Sequence, residues 1–208
     1  MAQNVLITGP QTLSDGNQAQ ARGDKQGNAG VTEVNPRYYE NSYRGATYYC
    51  CNSAAQALSL TGTTTYTGLV LYNRPNSGKN LSILTAAFAP TIAETGVGAV
   101  IMFSQPVAAS VPSLTATNVA NGATSGLLNG NLSAVAQVAS SCTLATNPVF
   151  LRPLIGIPWV TATGQSALLC KDEIAGELIV PPGAAVGFVA VTTAITGISY
   201  ISWTEINQ

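Results

Sequence analysis

The acidic segment KDEIAGE (171–177) is the part of this chain whose residue types and spacing come closest to acid and base chemistry. It brings Asp172, Glu173 and Glu177 close together in the sequence. Glycoside hydrolysis needs two carboxyl groups close together in space, and such a cluster could supply them. These residues fall at a turn between two short predicted strands, where charged side chains are usually solvated. We therefore interpret the segment as a charged surface turn.

Few residues in this sequence could support other kinds of catalysis or bind a metal ion. The sequence contains no histidine, which excludes every mechanism that uses an imidazole as base, proton shuttle or metal ligand. Its four cysteines are Cys50, Cys51, Cys142 and Cys170, and no two of them form a CxxC pair. A zinc site would need all four thiolates, so buried free thiols are the better interpretation. The sequence predicts a protein that is not an enzyme and has no cofactor or metal.

Two short motifs resemble ligand-binding loops. In NRPNSGKNL the position of the first P-loop glycine is Asn73, and Asn80 stands where Ser or Thr would hold a metal ion. Pro75 and Gly78 instead predict a hairpin turn over 74–78. The tripeptide Arg22-Gly23-Asp24 lies in a Gly-, Asn- and Gln-rich stretch and is interpreted as a chance occurrence. Neither motif predicts a small-molecule substrate.

Charge and hydropathy exclude several classes of partner. Charged residues make up 8% of the chain and the formal net charge is −1, whereas soluble domains carry about 25% charged residues. There is no basic patch to bind nucleic acid. The apolar stretch 184–195 is shorter than the roughly 20 residues that cross a bilayer, so no membrane span is predicted. The first residues do not form a secretory signal, which predicts synthesis in the cytoplasm.

Residues 1–44 differ in composition from the rest of the chain. They are rich in Gln, Asn, Gly and Asp and carry four positive and four negative residues. Because such a segment cannot fill a core, we predict an extended N-terminal arm. It ends in NPRYYENSYRG, which combines aromatic residues and arginine, the composition of contact surfaces. The predicted partner-binding residues are Arg37, Tyr38, Tyr39, Tyr43 and Arg44. The alternative, that these tyrosines seal one end of the core, stays open.

Residues 45–208 show a β pattern, and 208 residues in all suit a single sandwich domain beside the arm. Apolar runs rich in Val, Ile, Thr and Tyr are separated by Gly, Pro, Asn and Ser clusters. The predicted strands are ATYYCCN, TYTGLVLYN, NLSILTAAF, GVGAVIMFS, PVFLRPLIG, QSALLCK, GELIV, AVGFVAVTT and GISYISWTEI. No stretch shows a convincing helical stripe: SAAQALSL, the nearest to one, is short and soon followed by TGTTT, and 127–141 could form a turn or two of helix. The pattern predicts an antiparallel, jelly-roll-like β-sandwich.

The corner Pro181-Pro182-Gly183 separates two of the predicted strands. Proline cannot donate a ladder hydrogen bond, so GELIV must end there and the chain must turn. We predict that GELIV and AVGFVAVTT are adjacent antiparallel strands. Their bend would lie at one end of the sandwich.

The outward faces of the predicted sandwich are expected to carry almost no charge. From Leu81 to Leu151 the only charged residue is Glu94. The faces would then consist of Ser, Thr, Ala, Asn and Gly, which protect a free monomer poorly against association. Another copy or another protein covering these faces would explain the pattern, since interface cores are poor in charge. A well-hydrated Ser/Thr surface is the alternative.

Several segments together resemble virion proteins of tailed bacteriophages. These segments are NPRYYENSYRG, TYTGLVLYN, NSGKNLSIL and GELIVPPGAAVGFVAVTTAITGISYISWTEI. From about Asn35 onward the chain is similar to capsid cement or decoration proteins of cyanophage-like viruses. The resemblance implies a homotrimeric β-sandwich made in the host cytoplasm and mounted on the capsid exterior. Its implied partners are the major capsid protein and copies of itself, and no catalytic residue is implied.

Two other virion roles compete with this one. A head-fibre or tail-fibre adhesive module would bind host surface glycan through a groove with clustered Trp or Tyr, whereas Trp159 and Trp203 lie in apolar segments. A jelly-roll major coat protein would bring a basic arm or inner face to packaged nucleic acid. The balanced charges of the arm do not supply one.

Overall fold

The computed structural model describes residues 37–58, 65–91, 98–105, 113–115, 124–126, 134–144, 147–157 and 170–208. The predicted arm up to residue 36 lies outside the described residues. The chain divides into two compact units, Met1–Tyr39 and Glu40–Gln208. The second unit consists of two antiparallel sheets packed against each other, which confirms the predicted antiparallel β-sandwich.

Thirteen strands and one short helix make up the regular structure of the described residues. The helix is α1 (Tyr39–Tyr43), a single turn that ends where Gly45 adopts a φ of 68°. The strands are β1 (Thr47–Cys51), β2 (Gln56–Ala57), β3 (Thr65–Tyr72), β4 (Lys79–Pro90), β5 (Gly98–Gln105), β6 (Ser113–Thr115), β7 (Thr124–Ser125), β8 (Gln137–Thr143), β9 (Val149–Ile157), β10 (Cys170–Glu173), β11 (Ile179–Val180), β12 (Ala185–Val191) and β13 (Thr196–Asn207).

The strand order is that of a jelly roll. The first sheet has the order β10-β4-β13-β1-β7, with β11 also on β4 and β2 also on β13. The second sheet has the order β6-β8-β3-β12-β5-β9. Eight of the strands form four antiparallel pairs between segments that are distant in the sequence: β1 with β13, β3 with β12, β4 with β10, and β5 with β9. Together these pairs have the pattern of one long hairpin that is folded over on itself. This nesting of first with last is the connectivity of the double Greek key.

The main core lies between the two sheets. Alternate residues of each strand point into it, as the two-residue period of a strand requires. Trp203 of β13 and Phe88 of β4 come from the first sheet, and Leu71 and Phe188 come from the second. All four side chains are fully buried. The core therefore holds the sheet edges and turns in fixed positions.

The second sheet is buried on both faces, which the sequence analysis did not predict. A second cluster includes Tyr66, Val70, Phe103 and Val189, which alternate with residues of the main core. The rings of Tyr66 and Phe103 are 4.7 Å apart between centroids. The expectation that outward faces carry Ser, Thr, Ala, Asn and Gly was wrong for this sheet. An uninterrupted apolar run such as that of β3 indicates burial on both faces, because successive side chains point to opposite sides.

Two turns predicted to reverse the chain within a sheet instead carry it from one sheet to the other. The predicted pairing of GELIV with AVGFVAVTT was wrong, because β11 pairs with β4 in the first sheet and β12 lies between β3 and β5 in the second. The predicted hairpin over 74–78 was wrong for the same reason, since β3 and β4 belong to different sheets. In both cases the turn lies where predicted. Each flanking strand finds its partners elsewhere in the sequence.

Asn73 joins these two crossovers. Its side-chain nitrogen donates to the carbonyl oxygen of Lys79 at 2.8 Å and to that of Val180 at 2.9 Å. Its backbone nitrogen donates to Ala184 at 2.9 Å, and its carbonyl accepts from Gly183 at 2.8 Å. One fully buried side chain thus satisfies backbone groups in both loops.

Neither of the two segments considered for helix formation is helical in its described part, which differs from the expectation for 127–141 alone. The part of 127–141 that is described from Gln137 onward is a strand, β8, which pairs with β3 and β6. Within SAAQALSL the structure contains the short strand β2 on β13. Both segments complete a sheet, because pairing with an existing strand satisfies their backbone groups better than an isolated turn of helix.

Candidate protein-binding surfaces

The predicted contact residues Arg37, Tyr38 and Tyr39 belong to the first compact unit. The guanidinium carbon of Arg37 lies 5.3 Å from the centroid of the Tyr38 ring, which is the geometry of a cation–π contact. Tyr39 exposes 46% of its surface. The exposed ring of Tyr39 next to the arginine-covered ring of Tyr38 matches the composition of a contact surface. The role of these residues in partner binding stays a prediction.

The other two predicted contact residues, Tyr43 and Arg44, belong to the second unit. Tyr43 is 64% exposed at the end of α1, so it does not seal the core. Arg44 is exposed and lines an open depression of about 540 Å³, together with Lys79 and Glu205. In this unit, the exposure of Tyr43 and Arg44 favours a role in partner contacts over a role in closing one end of the core.

Glu205 at the floor of this depression is a buried carboxylate with three partners. Its Oε2 lies 3.1 Å from the ammonium of Lys79, and its side chain has no solvent exposure. Its Oε1 accepts hydrogen bonds from the backbone nitrogens of Val135 at 2.7 Å and Ala136 at 3.1 Å. Burying a charge is costly unless it is paired and hydrogen-bonded, and both conditions hold here. Glu205 therefore fixes the segment before β8 against β13.

The sequence analysis did not single out Glu205, although a signal was present. Within GISYISWTEI, the inward positions of β13 are Ile201 and Trp203, and the next one is Glu205. A carboxylate that continues an inward series on a strand needs buried partners. Alternation alone could have predicted such a group, but not the identity of Lys79 as its partner.

An exposed apolar surface lies on the side of the sandwich where both sheets end. It consists of Val149, Phe150 and Leu151 on β9, exposed by 53%, 45% and 38%, and Ile179 on β11, exposed by 58%. A small apolar pocket of about 120 Å³ lies beside Leu151 and Ile179 and connects the two strands. We name these four residues the apolar edge. Large exposed apolar groups that cluster in this way mark interaction sites.

The outer face of the first sheet is uncharged over its central strands. Tyr49, Ser202 and Thr85 lie side by side across β1, β13 and β4, and Cys51, Tyr200 and Ala87 form the neighbouring row. We name these six residues the neutral face. The rings of Tyr49 and Tyr200 stack with centroids 6.3 Å apart. At the margin of the face, Lys171 and Glu173 of β10 pair with each other at 3.0 Å. Ser202 and Ala87 are buried between their neighbours, so the accessible part of the face comes from Tyr49, Tyr200, Cys51 and Thr85, which are half-buried.

The acidic segment 171–177 forms ion pairs, not an acid and base pair. Arg152 of β9 bridges the two nearest candidates: its Nε lies 2.9 Å from Asp172 and its Nη1 lies 2.9 Å from Glu177. Ala175 and Gly176 adopt positive φ values of 55° and 93°, which places the turn where it was predicted. The bridging arginine ties the edge strands of the two sheets together. Glu173, the third carboxylate of the segment, pairs with Lys171.

The four cysteines are free, and Cys50 and Cys142 are buried. Burial raises the pKa of the Cys142 thiol to about 12, and burial also raises the pKa of Cys50. Protonated thiols are poor nucleophiles and poor metal ligands. Within the described ranges, no group of three or more Cys, Asp or Glu side chains could hold a metal ion. In the same residues, no helix is long and apolar enough to span a membrane.

Comparison with known proteins gives no relative for this chain. No family model, no curated protein and no solved structure matches it.

Proposed function

We propose that this protein is a virion structural protein, a cement or decoration protein that binds the outside of a bacteriophage capsid as a homo-oligomer, with three copies as the expected number. The observation that carries the proposal is the pairing of an exposed apolar edge with an uncharged sheet face on one jelly roll. Such surfaces suit contacts between proteins. The three acidic residues considered for chemistry, Asp172, Glu173 and Glu177, all form ion pairs.

The two kinds of contact surface suit two kinds of partner. The segment with Arg37, Tyr39, Tyr43 and Arg44 offers exposed aromatic and cationic groups, and we assign it to the major capsid protein. The apolar edge and the neutral face carry no unpaired charge and are assigned to contacts between copies. Two separate contact surfaces on one small protein would allow it to join neighbouring coat subunits.

Apolar burial is strong enough to hold such an oligomer. At about 25 cal/mol per Å², ~1,000 Å² of apolar surface buried per subunit contributes roughly 25 kcal/mol before the entropy of association is subtracted. Contacts of this kind weaken little with salt, because they do not depend on charge pairs. Shells stabilised in this way would tolerate large changes in ionic strength.

The adhesive alternative gains no support from the tryptophan in the described residues. Trp203 is fully buried and its ring lies 6.0 Å from that of Tyr48 in the core. It therefore cannot offer a stacking platform to a sugar. Trp159 lies outside the described residues.

Sedimentation with capsids tests the proposal. The purified chain is mixed with expanded, DNA-free heads of the virus that encodes it, and the bound protein is quantified in the pellet. We expect saturation at a fixed ratio of chain to coat protein and a higher melting temperature for the decorated heads. Unexpanded procapsids serve as a comparison for the surface that is recognised.

The control is the variant Tyr43→Asp, which places a carboxylate in the segment assigned to the coat protein. It should stay folded and bind heads more weakly. A wild-type chain that stays in the supernatant at every concentration, or that is found only in tails or fibres, would contradict the proposal.

A further inference from the structure

We infer that the open depression beside α1 binds an acidic segment of the coat protein, with a carboxylate of that segment held by Arg44 and Lys79. The inference rests on the capsid role proposed above and adds to it the place of the contact and the chemistry of the partner. Every residue that lines the depression belongs to the second compact unit, so the site is formed within one unit.

The depression lies at one end of the first sheet. Lys79 at the start of β4 pairs with Asn207 at the end of β13, and Thr47 at the start of β1 pairs with Thr204. The volume of about 540 Å³ falls within the range of roughly 300–1,000 Å³ that is usual for ligand pockets. Side chains on paired strands are held by the sheet, so the site does not depend on a loop for its shape.

The accessible charge in the depression is positive. Its lining contains three charged residues, Arg44, Lys79 and Glu205, and two cations with one carboxylate leave a net charge of +1. The side chain of Glu205 has no solvent exposure, whereas that of Lys79 is 30% exposed and Arg44 is exposed. A partner that enters the depression therefore meets the cations, which favours a negatively charged group.

Glu205 acts as a positioning residue for Lys79. Its Oε1 accepts hydrogen bonds from the backbone nitrogens of Val135 and Ala136, and its Oε2 accepts one from the Lys79 ammonium at 3.1 Å. An ammonium group has three N–H donors, and this bond uses one of them. The buried carboxylate thus fixes the ammonium at the depression and leaves it donors for a ligand.

Arg44 supplies the second cation from a different element, the connection between α1 and β1. A guanidinium has five N–H donors in a planar fork, which matches the two oxygens of a carboxylate. Lys79 acts beside it as a point charge. The two side chains together suit one carboxylate better than either side chain alone.

The rest of the lining suits a peptide better than a free anion. Asn41 and Asn207 are exposed and offer amide groups that pair with a peptide backbone. Ile206, which is 50% exposed, offers apolar surface for the methylene groups of an acidic side chain. The depression also adjoins the segment with Tyr43 and Arg44 that we assign to the coat protein. An acidic segment of that protein is therefore the expected occupant.

Substitution of Arg44 tests the inference in the sedimentation experiment with heads. Arg44→Gln should bind heads roughly 10-fold more weakly or worse, because a carboxylate loses a charged hydrogen-bond partner. Arg44→Lys keeps the charge without the fork and should lie between Arg44→Gln and the wild type. The matched control is Arg74→Gln, which removes one charge from an exposed residue that does not line the depression. It should bind heads like the wild type, and circular dichroism checks the fold of all three variants.

A peptide titration tests the chemistry without capsids. The isotope-labelled full chain is titrated with a capped peptide of two glutamates between glycines, with the matching glutamine peptide, and with inorganic phosphate, and backbone amide shifts are followed by NMR. We expect saturable shifts around Arg44, Lys79 and Asn207 with the glutamate peptide alone. Sodium chloride should weaken this binding, because exposed charges are screened. Arg44→Gln should lose the shifts.

The outcomes separate the inference from the proposed function. If Arg44→Gln and the wild type bind heads equally well, the coat protein is bound elsewhere, so the inference is wrong while the capsid role stands. Equal responses to the glutamate and glutamine peptides also overturn the inference. Phosphate that binds at the same residues more tightly than the glutamate peptide would show a phosphate site instead. A wild type that binds the glutamate peptide but never sediments with heads supports the carboxylate chemistry of the depression and contradicts the capsid role.

Discussion

The side-chain amide of Asn73 donates a hydrogen bond to the carbonyl oxygen of Val180, 107 positions away in the sequence, at a distance of 2.9 Å. The same nitrogen also donates to the carbonyl of Lys79. Each of these carbonyls lies at the end of a crossover between the sheets. Asn73 thus couples two loops that are far apart in the sequence.

Asn73→Ala should destabilise the fold by about 2–4 kcal/mol, because the carbonyl of Val180 in a buried hydrogen bond and that of Lys79 in a part-buried one lose their donor. Urea denaturation followed by tryptophan fluorescence measures the effect as a lower midpoint at an unchanged slope. The matched control is Asn76→Ala in the exposed part of the same loop, which should change stability by less than about 0.5 kcal/mol. Equal midpoints for the two variants would refute the coupling role of Asn73.

Lys79 and Glu205 should show an energetic coupling of about 1–3 kcal/mol in a double-mutant cycle. Lys79→Met leaves the buried carboxylate of Glu205 without its cation, so it should cost more in the wild type than in the Glu205→Gln background. The free energies come from urea denaturation of the four proteins. The exposed pair Lys171 and Glu173 serves as the comparison, and its coupling should be close to zero. Additive effects at positions 79 and 205 would contradict the prediction.

The free energy of unfolding should fall as the pH rises from 9 towards 12. Burial raises the pKa of Cys142 from 9.0 to about 12, so in this window the native state keeps a thiol proton that the unfolded chain has released. The native state then binds more protons, and stability decreases by about 1.4 kcal/mol per pH unit for each such thiol. Below pH 9 both states are protonated and this dependence disappears.

Cys142→Ala provides the check on this pH dependence. Urea denaturation under reducing conditions at about pH 8, 9.5 and 10.5 should show a smaller loss of stability for the variant. Cys50, whose pKa is also raised by burial, keeps its contribution in both proteins. Parallel curves for the two proteins would show that Cys142 does not remain protonated in the native state.

Deletion of residues 1–35 should leave a folded oligomer that no longer attaches to capsids. The described strands and both proposed self-contact surfaces follow this segment in the sequence. Circular dichroism, sedimentation equilibrium and sedimentation with heads measure fold, mass and attachment separately. A truncated chain that decorates heads at wild-type occupancy would show that the arm is not needed for attachment.

Local sequence predicted most of the strands well. TYTGLVLYN, NLSILTAAF and GISYISWTEI correspond to β3, β4 and β13 with boundaries that differ by two residues at most. These runs combine β-branched and aromatic residues with turn residues at both ends, and those signals lie within the segment itself. β8 was missed because QVASSCT contains few large apolar residues and depends on β3 and β6 for its pairing.

Strand pairing could not be predicted from the same signals. Pro75 and Pro181 determine where a strand ends, but turn chemistry does not determine whether the next strand joins the same sheet or the opposite one. That choice depends on which distant strands bury the same apolar face, as β12 does between β3 and β5. The buried pair of Lys79 and Glu205 was missed for the same reason, since it joins residues 126 positions apart.

The predicted contact residues illustrate a different limit. Composition alone selected Tyr43 and Arg44, and both are exposed in the structure. The apolar edge was not selected, because the apolar letters of PVFLRPLIG look the same whether the strand is central or at an edge. Only the strand order shows that β9 is at the end of its sheet and pairs with β5 alone among the described strands.

The position of β13 has a consequence for how the chain folds during synthesis. It follows every other described strand in the sequence, yet it lies between β4 and β1 in the first sheet. Both of these strands leave the ribosome well before the one that joins them, and their inner edges stay open until then. Pairings between such distant segments make folding slow. A nascent chain of this kind needs protection from aggregation until β13 has emerged.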